Sequence, residues 1–230
     1  MRKSLIITAA LLVVAVGTAD RVAASAAADR LADRLRCAGG LPSSPDVSIG
    51  GVPFLTQLAR GRLHRVTVSA PQVPVGRLTA AVRATASDVR LPASGAASAA
   101  SVQINITLGY GQLPVDVSPG ADGRLVIPTV APVLGREVPV VVHAEPSLSG
   151  PAVVIKPVEV ELSAVGLRFS AERLGDRVPS RTLALPSLPS GLHYDGVSVA
   201  AEGLRLTVSG SDVTVPGSAR GGDRGCGDAS

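Results

Sequence analysis

Apolar and polar residues alternate with a period of two along much of the chain. Val66 and Val68 interleave with Thr67 and Ser69. Leu78, Ala80, Val82, Ala84 and Ala86 interleave with Thr79, Arg83, Thr85 and Ser87. Val102, Ile104, Ile106, Leu108 and Tyr110 alternate with Gln103, Asn105 and Thr107. Successive side chains of a strand point to opposite faces, so this spacing predicts strands with one dry and one wet face. At Ser87-Asp88 the parity slips, because Val89 and Leu91 then carry the apolar positions; a bulge or kink is the simplest account.

Further strands are expected at Asp46–Ile49, Leu125–Ile127, Val138–Val142, Val153–Ile155 and Val158–Phe169. Pro119–Gly123 reads as a turn, and Arg181–Pro189 as an extended, proline-interrupted stretch. Val197, Val199 and Ala201, then Leu204, Leu206 and Val208, read as a hairpin around Glu202-Gly203. Two segments break the period of two. Residues 20–38, rich in Ala, Leu and Arg, predict a helix that stops at Gly39-Gly40. Pro53 and Gly61 bracket a two-turn helix, Pro suiting its first turn and Gly the position past its end. Phe54, Leu55 and Leu58 would then share one face at i, i+1 and i+4.

The first residues carry an address. Met1-Arg2-Lys3 is a positive n-region, and Leu5 to Val16 is an apolar run of h-region length. Gly17-Thr18-Ala19 and Ala26-Ala27-Ala28 offer two cleavage sites of small residues. Asp20 and Arg21 interrupt the run before it reaches the length of a transmembrane helix. Export is expected, with residues 1–28 as a signal peptide or a retained anchor, giving a secreted or membrane-anchored protein of the cell envelope. Residues 29–216 then form one domain, its β-rich body spanning 46–215, and 217–230 form a Gly-rich tail read as disordered. Export permits a disulfide, and Cys37 and Cys226 are either its two ends or two unpaired thiols.

Composition narrows the function. Of 230 residues 46% are hydrophobic, yet aromatics make up only 2% and Trp is absent. Binding by aromatic stacking on bases or sugars is disfavoured. The net charge of +4 falls to +2 without residues 1–28, too little to attract nucleic acid. No phosphate-cradling loop, nucleophile elbow or zincin motif is present. His143-Ala144-Glu145 has the spacing of a zinc deaminase without its paired cysteines. His64, His143 and His193 stand apart, and Glu159 and Glu161 share a strand face that reads as solvated. No catalytic residue, metal site or cofactor is therefore assigned. The sequence leaves the oligomeric state open. What the chain offers is aliphatic surface, which either packs against a second sheet or lines a lipid cavity.

Two stretches carry a resemblance. Pro45 to Val73, PDVSIGGVPFLTQLARGRLHRVTVSAPQV, and Leu188 to Val213, LPSGLHYDGVSVAAEGLRLTVSGSDV, resemble the actinobacterial LmeA-like family of phospholipid-binding cell-envelope proteins. Asp20-Arg21-Val22-Ala23 following the apolar run is also similar to that family's architecture. Val52 departs from the pattern, standing where a larger residue such as Phe is expected, which would loosen packing around the short helix. The resemblance implies an α+β, mostly β fold in which a long curved antiparallel sheet wraps one or two helices, similar to tubular lipid-binding domains. A plain β-sandwich is the alternative. It also implies a non-enzymatic protein that binds phospholipid, expected to be anionic, and supports envelope biogenesis. Acyl chains would lie on Ile104, Ile106 and Leu108. Phe54, Leu55 and Leu58 would cap the cavity, insert shallowly in a membrane surface, or clamp the helix to the sheet as core. Arg60, Arg62 and Arg65 would meet lipid phosphates. The competing function is an envelope scaffold with a solid β core and no lipid cavity; an unrecognised hydrolase is a third reading.

Overall fold

The computed structural model describes residues 2–75, 78–92, 96–113, 115–133, 136–173 and 178–215, with side chains from residue 15 onward except at 132, 133 and 215. One helix, α1 (Arg2–Gly39), leads into a mostly β body. The expected helix at 20–38 thus continues without a break from the apolar run before it. It ends as expected, with Gly40 in the left-handed conformation at φ 57°. Strand β1 (Asp46–Gly50) and the short helix α2 (Phe54–Ala59) follow. Next come β2 (Arg62–Val75), β3 (Leu78–Arg90) and β4 (Ala97–Leu108). After a short irregular stretch come β5 (Ser118–Pro119), β6 (Leu125–Val133), β7 (Arg136–Leu148), β8 (Ala152–Leu162) and β9 (Leu167–Ser170). The body closes with β10 (Arg181–Ala184), β11 (Leu192–Ala200) and β12 (Gly203–Val215).

Two antiparallel sheets result. The first has the order β1-β2-β3-β4-β12-β11, and the second β10-β8-β7-β6-β5 with β9 also paired to β8. Neither closes into a barrel, and the fold is mostly β with two helices, in line with the curved-sheet expectation. The sheets approach each other where β11 meets β7. The expected strand Val158–Phe169 is two strands, because Gly166 turns the chain at φ 63° between β8 and β9. Conversely, Lys156-Pro157 does not interrupt β8, which absorbs the proline at a register shift opposite His143/Ala144. Regular pairing of the extended Arg181–Pro189 stretch is confined to β10.

The parity slip at Ser87-Asp88 is a real kink. Asp88 lies at φ 49° and Asp212, two strands away, at φ 50°. Asp tolerates this left-handed region better than most residues. Both lie level with Ala100, since Ser87 and Ser211 pair with Ser101 while Val89 and Val213 pair with Ala99. The β3–β4 register is unshifted, so this is a crease across the sheet and not a bulge. Its consequence is seen at β2, where Leu63 and Val66, of opposite parity, pack on the same cluster with Phe54 and Ala24. The crease lets the apolar face continue through a change of phase.

Helix α1 lies against β1 and α2 through small side chains. Ala24, Ala28 and Ala32 recur every four residues and are buried. Cys37, on the last turn, is disulfide-bonded. Cys226, its expected partner, and the expected tail 217–230 lie outside the described residues.

Candidate functional site

The short helix α2 is held from a distance. Its N-cap is Pro53, which offers no side-chain acceptor for the first amides of the helix. Such amides need partners. They find them in Asp20 of α1, whose carboxylate accepts the N–H of Phe54 at 2.9 Å and of Leu55 at 2.8 Å. Arg21 bonds the same carboxylate at 2.9 Å and also donates to the Gly51 carbonyl at 2.9 Å. The amides of Leu55 and Phe54 hold the Asp20 carboxyl below the ordinary 3.8, burial opposes them, and Arg21 adds to the lowering.

The inner face of α2 carries Phe54, 2% exposed, and Gln57, 6% exposed. Gln57 accepts the His64 N–H at 2.9 Å, beside the crease. Gly51 at φ 97° makes room for it, because a Cβ there would stand 2.6 Å from the Gln57 amide nitrogen. The shared face expected for Phe54, Leu55 and Leu58 is not formed. Phe54 points inward, while Leu55 and Leu58, three residues apart, point to solvent. Of the roles expected for them, the core one is not met by Leu55 and Leu58, and Phe54 and Gln57 hold the helix to the body. Val52 is 77% exposed, so the smaller residue there does not loosen the packing of α2.

Arg60, Arg62 and Arg65 follow α2 in the chain, all exposed. Arg62 pairs with Asp88 at 3.5 Å. The chain brings these cations to the creased end of the first sheet, and the aliphatic row runs away from that end. Arg65 is level with Ser87 and Ser101. Ile104 lies about 10 Å further along β4, and Leu108 about 23 Å. Across the sheet the row is continuous: Ala84–Ile104–Val208, then Val82–Ile106–Leu206, then Leu108–Leu204. Val208 is fully buried, but Ile104, Ile106 and Leu108 are only half-buried. The two core clusters of the described residues each draw on one sheet, one around Phe54 and one around Val140, Val142 and Val160. At the far end Tyr110 donates its hydroxyl to the Ala200 carbonyl at 2.5 Å, tying β4 to the β11–β12 hairpin. Burial first, and the charge of Glu202 second, raise this phenol above its ordinary value. Gly203 permits that closeness, since a Cβ there would collide with the Leu108 carbonyl.

Two concavities lie elsewhere. One of ≈ 360 Å³ is lined mostly by small polar side chains, including Thr85, Ser87, Ser101, Gln103 and Ser209. The other, of ≈ 290 Å³, lies in the second sheet beside Arg124, Glu159 and Arg168. Neither is an enclosed tunnel along the aliphatic row. In the first, His193 Nε2 lies 3.0 Å from Asp195 and 3.4 Å from Ser209. Both contacts fall on one ring nitrogen, so the imidazole does not relay between hydroxyl and carboxylate as a catalytic triad requires. Glu159 and Glu161 are engaged by Arg168 at 3.6 and 2.9 Å, and Glu161 faces His143 at 3.5 Å. The H-x-E pair is split, since Glu145 turns instead to Arg124 at 3.0 Å. Among the described residues no three His, Cys, Asp or Glu side chains gather as metal ligands. Nor is any helix among them long and apolar enough to cross a membrane.

The first sheet thus carries an aliphatic row along β3, β4 and β12, with Arg60, Arg62 and Arg65 near its creased end. The family model for LmeA-like phospholipid-binding proteins matches residues 18–209, and the chain belongs to that family. The match begins just before Asp20, so it takes in the residues that hold α2. No curated protein and no solved structure shows significant similarity to the chain.

Proposed function

We propose that this is an exported, non-enzymatic protein of the cell envelope that carries phospholipid with its acyl chains along the aliphatic row of the first sheet. Family membership supports lipid binding. The observation that points to this face is that Ile104, Ile106 and Leu108, aligned on one face of a central strand, are only partly buried. A folded domain gains about 25 cal/mol for each Å² of apolar surface removed from water, so the part of these side chains still uncovered offers that gain to a ligand. From Val102 to Leu108 the row extends about 20 Å, comparable with the roughly 15 Å depth of one leaflet's hydrocarbon. The headgroup belongs at the creased end, where Arg60, Arg62 and Arg65 favour an anionic phospholipid and the surface of an anionic membrane.

The test is titration with a phospholipid fluorescent on its acyl chain, against the native chain and Ile106→Glu. Saturable binding that the substitution abolishes, with the β-sheet circular dichroism of both proteins alike, supports the reading. Equal binding by both moves the ligand off this face, and no binding by either favours the scaffold reading.

A further inference from the structure

We infer that the α2 end of the body is a foot that docks on an anionic bilayer, holding the aliphatic row upright on the membrane. This deepens the phospholipid-binding reading and rests on it. Single exposed aliphatics are ordinary on protein surfaces. Here four converge: Val52 at 77% exposed, Leu55 at 47%, Leu58 at 48% and Leu91 at 38%. Leu55 and Leu58 share the outward face of α2. Leu91 is joined to the same turn, because its N–H donates to the Gly61 carbonyl at 2.8 Å while the Gly61 N–H donates to the Leu58 carbonyl at 2.9 Å. Each keeps more than a third of its surface open, while Phe54 and Gln57 make the inward contacts.

Charge decides what covers them. Arg60, Arg62 and Arg65 follow α2 directly in the chain and Arg21 reaches the Gly51 carbonyl before it; Arg21 and Arg62 are paired with Asp20 and Asp88, while Arg60 and Arg65 have no ion pair among the described residues. A second copy of the foot would set arginine against arginine. A lipid surface accepts both features, with apolar tips shallow in the acyl boundary and cations at the phosphates. The course of α1 points the same way. Val16, the end of the apolar run, lies four residues or about 6 Å before Asp20, which grips α2. Residues 15–19 are exposed, so the helix is uncovered just before Asp20 meets α2. Asp20 thus fixes the angle between the foot and the helix leading to it.

The sequence contains no Trp, so a single introduced one is a background-free probe. Leu58→Trp reports on the foot, and Leu183→Trp, 53% exposed on β10, reports on the second sheet. Each full-length variant is mixed with vesicles of phosphatidylcholine, alone or with phosphatidylglycerol. With phosphatidylglycerol, Leu58→Trp is expected to shift its emission to the blue, lose acrylamide quenching and gain quenching by brominated lipid, while Leu183→Trp changes in none of these. Arg60→Ser and Arg65→Ser should each weaken this docking about fivefold. Attachment through the first helix alone leaves both probes open to acrylamide and overturns the inference. Protection of Leu58→Trp that grows with protein concentration in the absence of vesicles assigns the foot to self-association and also overturns it. Native mass spectrometry of the same samples separates the two claims. Bound lipid with an open Leu58→Trp defeats the foot alone, and a protected Leu58→Trp without bound lipid upholds the foot and defeats the aliphatic row.

Discussion

The carboxylate of Asp20 lies 2.8 Å from the backbone nitrogen of Leu55, across 35 positions of sequence. A residue on the leading helix thereby supplies the cap that Pro53 does not, beside the Phe54 and Gln57 contacts that hold α2 to β2. Asp20→Ala removes both acceptors and is expected to lower the melting temperature measured by circular dichroism. Asp20→Asn keeps one acceptor oxygen and should fall between. Equal melting of all three proteins would show that the cap contributes nothing.

The same bond sets a pH dependence. The folded Asp20 has its pKa below the ordinary 3.8, because the Leu55 and Phe54 amides bond its charged form. The stabilisation is therefore complete above the unfolded value and is lost as pH falls through the folded one. Native protein and Asp20→Asn should differ by a constant amount near neutrality and converge below about pH 4. A difference that persists unchanged into stronger acid contradicts this assignment.

The two sides of α2 should respond oppositely to truncation. Phe54→Ala empties a buried site and is expected to cost about 3–5 kcal/mol in urea unfolding. Leu55→Ala and Leu58→Ala touch exposed positions and should stay within about 0.5 kcal/mol. Large losses from both leucines would place them in the core after all.

Much of this architecture was legible in the sequence because it is periodic. The Val102–Leu108 alternation became β4 with its polar and aliphatic faces. The phase slip at Ser87-Asp88 became a crease with Asp88 in the left-handed region. Gly61 took the position past the end of α2 at φ 61°. The Asp20 cap left no such trace, since one side chain bonding amides 34 and 35 residues away creates no spacing. Gln57 was equally hidden, as a polar residue recruited to the interior by one hydrogen bond to His64. The facing of α2 was ambiguous for a geometric reason. Adjacent residues stand about 100° apart on a helix, so Phe54 and Leu55 cannot both face the sheet in two turns. Leu58 stands only about 40° from Phe54, so spacing alone did not reveal that it would be left half-exposed. Within β8, a proline that looked like a boundary was absorbed by a register shift, and the break came instead at Gly166.

If the chain is exported as proposed, processing is expected to spare Asp20. Cleavage at Gly17-Thr18-Ala19, or retention of the whole leader, leaves the cap and the alanine stripe intact. Cleavage after Ala28 removes Asp20, Ala24 and Ala28, all of them buried against the body. Intact-mass measurement of the exported protein should give a chain beginning at or before Asp20. A mass beginning at Asp29 contradicts the view that these residues belong to the folded body.

The central claim is tested most directly by native mass spectrometry of the full chain, purified without detergent, beside Ile106→Glu prepared identically. The account predicts the native chain with mass increments of phospholipid, identified as such after organic extraction, and the variant largely free of them. A native chain that carries no phospholipid, and acquires none when incubated with vesicles, would contradict it.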